Sequence, residues 1–425
     1  MIVKWTIHLV TWFLIPVHLA PFLSQKSVYI SKHSIAYLCI SRQRIMNFKS
    51  LHNAVKDTSV MGRYLPEDRL KKLIDLAKKN QTYRLLGSSE NGRDIHGILI
   101  GRGEKRVLAW SQMHGNESTT TKGIIDFVRL LSQDALLDEY VSGVLNQFTF
   151  LIIPILNPDG AQLYTRENAS GIDLNRDALS QTQREIQVLM RQFEAFRPDL
   201  CLNLHDQRSI YGVGDLRVPA TLSFLAPSVD TKRTISPARL EAMDLIVKMV
   251  LSLQDNLPGQ IGRYDDAFNE SCVGDFFQKS GVPTILIEAG HYPQDDAREH
   301  TRYFVFEALF HLFKTVIKPS DPEGIISDYM AIPENHKNLR DLVFKNVRLN
   351  NTLVSIGLQK DYEIVNDREK QFLKVENVDP EQLIMGYTEI DFKGEELLIN
   401  SHENDFVGEK IVTIELKKSK KLIKI

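Results

Sequence analysis

Phe148 to Ile155 reads Phe-Thr-Phe-Leu-Ile-Ile-Pro-Ile, an almost unbroken apolar run. A strand that is apolar on both faces must be covered on both faces, which calls for a sheet between layers of helices. The rest of the chain agrees. Val107–Met113, Leu200–Leu204 and Pro283–Ile287 are further short apolar runs. Between them lie segments with a helical period: Thr119–Leu131, Gln181–Phe196, Pro237–Leu253 and Thr301–Ile317. Pro66–Lys79 is another, with Glu67 and Asp68 at its start and Lys78 and Lys79 at its end, as the helix dipole favours. Thr82–Leu86 and Ile95–Ile100 read as two strands joined through the turn signal Asn91-Gly92. This alternation predicts an α/β fold, a three-layer sandwich with a mixed β-sheet flanked by helices.

A break is expected at Lys318-Pro319-Ser320-Asp321-Pro322. Beyond it the period shortens: Val412, Ile414 and Leu416 alternate with polar residues, and Tyr362–Asn366 and Glu396–Asn400 also read as strands. The expected organisation is a main domain over 46–320 and a small C-terminal β-rich domain over 321–425. Residues 1–45 form an apolar leader. Trp5–Leu23 looks like an export signal or an anchor, although His8, Pro16, His18 and Pro21 interrupt it and no small-residue cleavage site follows. Met46 opens a cleaner sequence. The segment is either a real signal, giving an exported or membrane-anchored protein, or an upstream extension of a cytoplasmic chain that starts near Met46. The second reading is preferred.

Composition closes off several classes of function. The 425 residues carry 52 basic and 54 acidic side chains, so no global field attracts nucleic acid, and membrane contact is expected only if the leader is an anchor. The lysines of Lys417–Lys421 read as a solvated terminus. Cys39, Cys201 and Cys272 are too few and too scattered for a disulfide framework or a thiolate metal site.

Chemistry-bearing residues collect just past the ends of the apolar runs, where open α/β sheets bind ligands. His114-Gly115-Asn116-Glu117 follows the run that ends at Met113, and an imidazole and a carboxylate three residues apart can share a metal. His205 leaves the next run. A histidine at a strand end is commonly a packed core residue, but two His and one Glu would leave a metal with an open position, as catalytic sites require. Glu288 follows four apolar residues, an expensive place for an unpaired carboxylate and an apt one for a general base. His291 is taken as a neighbour of the site, outside the ligand set. Asn157-Pro158-Asp159-Gly160 reads mainly as a β-turn. Arg166, Asn175 and Arg176 together suit an anionic substrate and a developing oxyanion, although either arginine taken alone reads as part of a surface turn with salt bridges.

In this order, H-x-x-E, N-P-D-G, D-x-N-R, His and Glu, the chain resembles the zinc carboxypeptidases of the M14 (carboxypeptidase A-like) superfamily from about Leu85 to Phe313. The resemblance implies a zinc carboxypeptidase-like fold and one Zn2+ per chain, held by His114, Glu117 and His205. It implies that Asp173 orients a ligand histidine, that Asn175 and Arg176 bind a terminal carboxylate, and that Arg166 stabilises the oxyanion. Glu288 would take a proton from the attacking water and pass it to the leaving amine. At the place of the family's loop tyrosine the chain has Phe268, with Tyr264 upstream, and Cys272-Val273-Gly274 supplies no acid for a basic side chain. The activity implied is a zinc-dependent metallocarboxypeptidase using zinc-activated water on a peptide or N-acyl amino acid substrate. The alternatives are an amidase of cell-wall peptides or an N-acyl amino acid deacylase, and, from another class, a catalytically silent binding protein.

Overall fold

The computed structural model describes residues 48–132, 138–215, 217–314, 321–349, 351–381, 383–400, 407–411, 414–416 and 421–423. The apolar leader, Cys39 and the lysines at 417–420 lie outside them.

Eight strands build the main sheet: β1 (Tyr83–Ser88), β2 (Asp94–Gly101), β3 (Lys105–Ser111), β4 (Phe148–Ile153), β5 (Leu200–Asp206) and, past the short β6 (Gly212–Val213), β7 (Leu222–Leu225), β8 (Ile261–Arg263) and β9 (Thr284–Ala289). Their order is β1-β2-β4-β3-β5-β9-β7-β8. The central strands β4, β3, β5 and β9 are mutually parallel, with antiparallel partners on both sides. The sheet is therefore mixed. The β1–β2 turn is closed by Ser89 N donating to Arg93 O, and Gly92 takes the left-handed conformation the turn needs (φ 79°).

The helices are α1 (Phe48–Val55), α2 (Lys71–Lys79), α3 (Thr119–Leu131), α4 (Asp138–Gln147), α5 (Pro158–Leu163), α6 (Arg184–Phe196), α7 (Pro237–Leu253), α8 (Val273–Lys279), α9 (Glu299–Lys314) and α10 (Pro322–Met330). Alternation along each central strand feeds two cores. Leu108, Trp110, Leu151 and Ile153 face α6 and α8, where they meet Ile186, Leu189 and Phe277. The Trp110 and Phe277 rings meet edge to face at 5.4 Å. On the other face Phe127 of α3, Phe150 of β4 and Phe313 of α9 interlock at 4.8–6.1 Å. Each such side chain contributes about 1.5–3 kcal/mol by leaving water.

Asn157-Pro158-Asp159-Gly160 differs from its reading as a β-turn. It is the start of α5: the Asn157 side chain accepts from Gly160 N and Pro158 occupies the first helical position. An N-cap and a β-turn share the same opening residues, and the helix wins because the chain continues into Ala161 and Gln162.

After α10, capped by Asp321, the chain is β-rich. β10 (Asn335–His336) pairs with β6, the loop strand that follows His205. β11 (Leu339–Leu349), β12 (Thr352–Val365), β13 (Arg368–Asp379) and β14 (Met385–Asp391) form a four-stranded sheet. β15 (Leu397–Ile399), β16 (Ile414–Leu416) and β17 (Lys421–Ile423) form a three-stranded one. Among the described residues no helix is long and apolar enough to cross a membrane.

The stretch from α1 to Tyr64 is tied down by buried charge. Arg302 of α9 donates to both oxygens of Asp126 in α3 at 2.6 and 2.7 Å, and both side chains are fully buried. His52 Nε2 and Asp57 N also reach Asp126, at 2.8 and 2.9 Å. Removing one member strands the others without water. Asp126→Ala is therefore expected to cost about 3–5 kcal/mol, read by denaturant unfolding. Glu299 sits beside Lys122, Lys56 and Arg302. Burial pushes its carboxyl up, but these cations outweigh it and hold it at about 2. A depressed folded-state value means stability present at neutral pH and lost as pH falls. The Tm gap between the native protein and Glu299→Gln is expected to be full at pH 7 and to close between about 4.5 and 2.

Candidate active site

All four parallel strands end in polar residues at one edge of the sheet. β3 leads to His114, β4 to Asn157, β5 to His205 and β9 to Glu288. In the β5–β9 ladder His205 stands directly opposite Glu288.

The turn after β3 is shaped by close backbone packing. Gln112 adopts a left-handed conformation (φ 48°), and its side chain donates to Gly115 O and Leu65 O, both at 2.8 Å. Gly115 lies flat against α5: a Cβ there would fall 1.9 Å from the carbonyl carbon of Gly160. Asn157 Nδ2 donates to Met113 O at 3.2 Å and Asn116 N to Thr165 O at 3.1 Å. The H-G-N-E and N-P-D-G segments thus form one packed unit.

Glu117 is the hub. One carboxylate oxygen lies 2.8 Å from His114 Nδ1, and the other lies 2.8 Å from His205 Nδ1 and accepts from Asp206 N at 3.1 Å. The two Nδ1 atoms are 3.1 Å apart. Hydrogen bonding from His114 Nε2 to Asp173 Oδ1 at 3.1 Å assigns the ring proton to that side. Nδ1 of His114 then turns a lone pair toward a carboxylate and a second imidazole. Donor atoms converging this closely repel one another unless a proton or cation lies between them. The surroundings favour positive charge there: burial opposes protonation of His114, but Glu117 and Asp173 outweigh it and raise its pKa. Glu117 itself, despite burial, is held well below the usual carboxylate range by His114 and His205. Among the described residues this trio is the one His/Cys/Asp/Glu group whose ligand atoms can share a cation, all lying within 4.8 Å of one another.

Glu288 is buried and its Oε2 has no hydrogen-bond partner. Burial, reinforced by the nearby charges of Glu117 and Asp206, pushes its carboxyl well above the usual range. Arg166 donates through Nε and Nη2 to Asp173 Oδ2 at 3.1 and 3.0 Å, and its Nη1 lies 3.2 Å from His114 Nδ1. Asn175 and Arg176 occupy a 3-10 turn, Leu174–Arg176, capped by Asp173. Asn175 Oδ1 accepts from Val273 N at 3.0 Å, and the exposed Arg176 reaches Cys272 Sγ at 3.1 Å. His291 lies outside the trio, with its ring 4.4 Å from that of Tyr387. Phe268 packs under Lys279 Nζ at 6.0 Å.

Two groups at the site carry no clear sequence signal. Tyr264 extends from β8 to Tyr211, hydroxyl to hydroxyl at 3.1 Å. Burial raises its pKa, and the charge of Glu288, the neighbouring Tyr211 and the charge of Glu117 add to the effect. Asp206 caps α3 from a different strand, accepting from Thr119 N at 2.8 Å and Thr120 N at 3.1 Å. It thereby fastens the residue after His205 to the helix that follows Glu117.

With this geometry in view, comparison with known proteins is informative. Residues 68–195 match the family model of the zinc carboxypeptidases (Peptidase_M14). The chain is 32% identical over 99 residues to gamma-D-glutamyl-L-diamino acid endopeptidase 1 of Lysinibacillus sphaericus, covering 21% of this chain and 25% of that protein. It is 25% identical over 104 residues to probable carboxypeptidase 2 of Trichophyton verrucosum (strain HKI 0517), covering 24% of this chain and 20% of that protein. The chain thus spans about a fifth to a quarter of the length of these relatives. The crystal structure of thrombin activatable fibrinolysis inhibitor superposes with a TM-score of 0.50 at 13% identity, over 66% of this chain and 84% of that one. This likeness shows the shared fold.

The packing of Gly115 on Gly160 generates a test. Gly115→Ala forces backbone against backbone, so it is expected to destabilise the protein by more than the 1–3 kcal/mol or so typical of overpacking. Thermal unfolding measures the loss, and a Tm within a degree of the native protein would contradict the packing described.

Proposed function

We propose that this chain is a zinc-dependent metallocarboxypeptidase, hydrolysing a peptide or amide bond next to a free carboxylate. The observation that carries the reading is the convergence of His114, Glu117 and His205 on one point with Glu288 beside His205 in the same ladder. Two imidazoles and a carboxylate suit zinc and leave it an open position. When bound, zinc supplies Lewis acidity that polarises a carbonyl and acidifies water.

The remaining chemistry belongs to side chains. Asp173 holds the His114 ring with its Nδ1 toward the trio. Glu288, buried and short of a partner at Oε2, takes the proton of the attacking water and delivers it to the leaving amine. Arg166 presents Nη1 beside the trio and stabilises the negative charge that develops on the carbonyl oxygen. Asn175 and the exposed Arg176 bind the substrate's terminal carboxylate, Arg176 as a two-pronged donor. Tyr264, rather than Phe268, is the tyrosine assigned to close over substrate, its hydroxyl held by that of Tyr211.

The second reading, an amidase of cell-wall peptides or a deacylase of N-acyl amino acids, is favoured by the similarity to the Lysinibacillus endopeptidase. Both readings use the same residues. A panel of C-terminally free peptides, cell-wall peptides and N-acyl amino acids separates them by kcat/KM. The complete set of trio and base counts against a silent binding protein.

Glu288→Gln is expected to lower kcat by roughly 10²–10⁴-fold while one equivalent of zinc is retained, measured by elemental analysis after gel filtration. Full activity in that variant would overturn the mechanism.

A further inference from the structure

Arg63 stands outside every group assigned above. Its carbonyl accepts a hydrogen bond from Ser118 Oγ at 2.5 Å, one residue past Glu117. Its Nε donates to Asp296 O at 2.7 Å, and its guanidinium lies over the ring of Tyr362 from β12, 4.4 Å from the centroid. Its backbone N donates to Glu369 Oε2 at 2.8 Å, but among the described residues its guanidinium has no carboxylate partner, and Nη1 and Nη2 make no hydrogen bond. A half-buried arginine is ordinarily paired. Two carboxylates that feel its charge, Asp206 and Asp341, are committed elsewhere, and the Asp296 carboxylate is paired with Lys360. Asp206 caps α3. Asp341 Oδ2 accepts from Ser209 Oγ, Gln359 Nε2 and Lys360 N. A planar two-donor edge is therefore left over, stiffened by the aromatic ring behind it.

Its position relative to the sheet says which part of a substrate it faces. Residues 48–64 are anchored to α3 and α9 through Asp126 and Arg302. Asn175 and Arg176 directly follow Leu174 and reach Val273 N and Cys272 Sγ at the start of α8, and Leu174 and Val273 belong to the core under the opposite face with Trp110. Arg63 and the Asn175–Arg176 pair thus approach the His114–Glu117–His205 group from opposite faces. A substrate whose terminal carboxylate meets Arg176 extends its acyl side toward Arg63.

We propose that Arg63, backed by Tyr362, binds a second carboxylate of the substrate, an acidic side chain on the acyl side of the scissile bond. This deepens the hydrolase reading and rests on it for the direction of the substrate. Arginine recognises a carboxylate through two parallel hydrogen bonds, and partial burial keeps the pair from being screened as surface pairs are. Tyr362 comes from the C-terminal β-rich region, so that region builds part of the cleft wall.

The test uses full-length, zinc-loaded protein and peptides identical except for Glu, Gln or Lys on the acyl side. Binding is measured by calorimetry on the Glu288→Gln protein, and hydrolysis on the native enzyme. The Glu peptide is expected to bind about tenfold more tightly than the Gln peptide, the scale of one charge-assisted contact, with the Lys peptide weakest. Adding Arg63→Gln should erase the Glu/Gln ratio, and adding Tyr362→Leu should reduce it. Equal affinities in the parent protein, or a ratio unchanged by Arg63→Gln, overturn the proposal. If Arg63→Gln does not fold by circular dichroism, the peptide ranking and Tyr362→Leu decide alone. Arg63-dependent binding without hydrolysis by the native enzyme would keep this site and sink the hydrolase reading. Hydrolysis with no acidic preference would do the reverse.

Discussion

Four parallel strands that end at one level are the constraint on which the rest of this structure depends. The ladder places Ser111 opposite Leu204 and His205 opposite Glu288, neighbours at the roughly 4.8 Å spacing of hydrogen-bonded strands. A one-residue slip would turn every side chain of a strand to the other face. In β5 and β9 that would drive His205 and Glu288 out of line and pull Leu202, Leu204, Ile285 and Ile287 from their cores. The apolar burial that holds the sheet together therefore also holds a histidine beside a carboxylate. Side-chain geometry at the edge is inherited from backbone register.

Charge around that edge is organised as a chain of commitments. Glu117 is shared between two imidazoles and a backbone amide, and Asp173 between His114, Arg166 and Asn175 N. Asp206 is spent on the first turn of α3. Each buried acid has donors that offset its loss of water. Glu288 differs from them, with an unpartnered Oε2 and burial opposing its ionisation. An acid left without donors is one free to exchange a proton, so the contrast with its neighbours is itself informative.

Much of this was legible in the sequence. Strands buried on both sides announce themselves as apolar runs, and the polar residue after each run marks the edge. His205 and Glu288 could be read in that way because each closes the apolar run of its own strand, and His114 and Glu117 because they stand in the turn that leaves β3. The pairing of Tyr264 with Tyr211 could not, since it depends on where β7 and β8 attach beyond β9. The long hairpins of β11, β12 and β13 were seen only as fragments such as Tyr362–Asn366. Irregularities between Phe344 and Val347 and between Gly357 and Leu358 break the two-residue period that would have revealed them. Arg63 had no local signal at all, because its ring partner lies 299 positions away (362 − 63).

That separation has a consequence for synthesis. Glu369 accepts from Arg63 N and Tyr64 N, at 2.8 and 3.1 Å, so the earliest described stretch and the C-terminal sheet are fastened to each other. A nascent chain can complete the helices and the parallel strands before residue 362 has left the ribosome. It cannot yet complete the wall above them. Domains form as units while translation proceeds, and here the order of emergence leaves the cleft open along one side until the C-terminal strands arrive. The last part of the chain to be made acts as the closing piece of a vestibule whose floor is already laid.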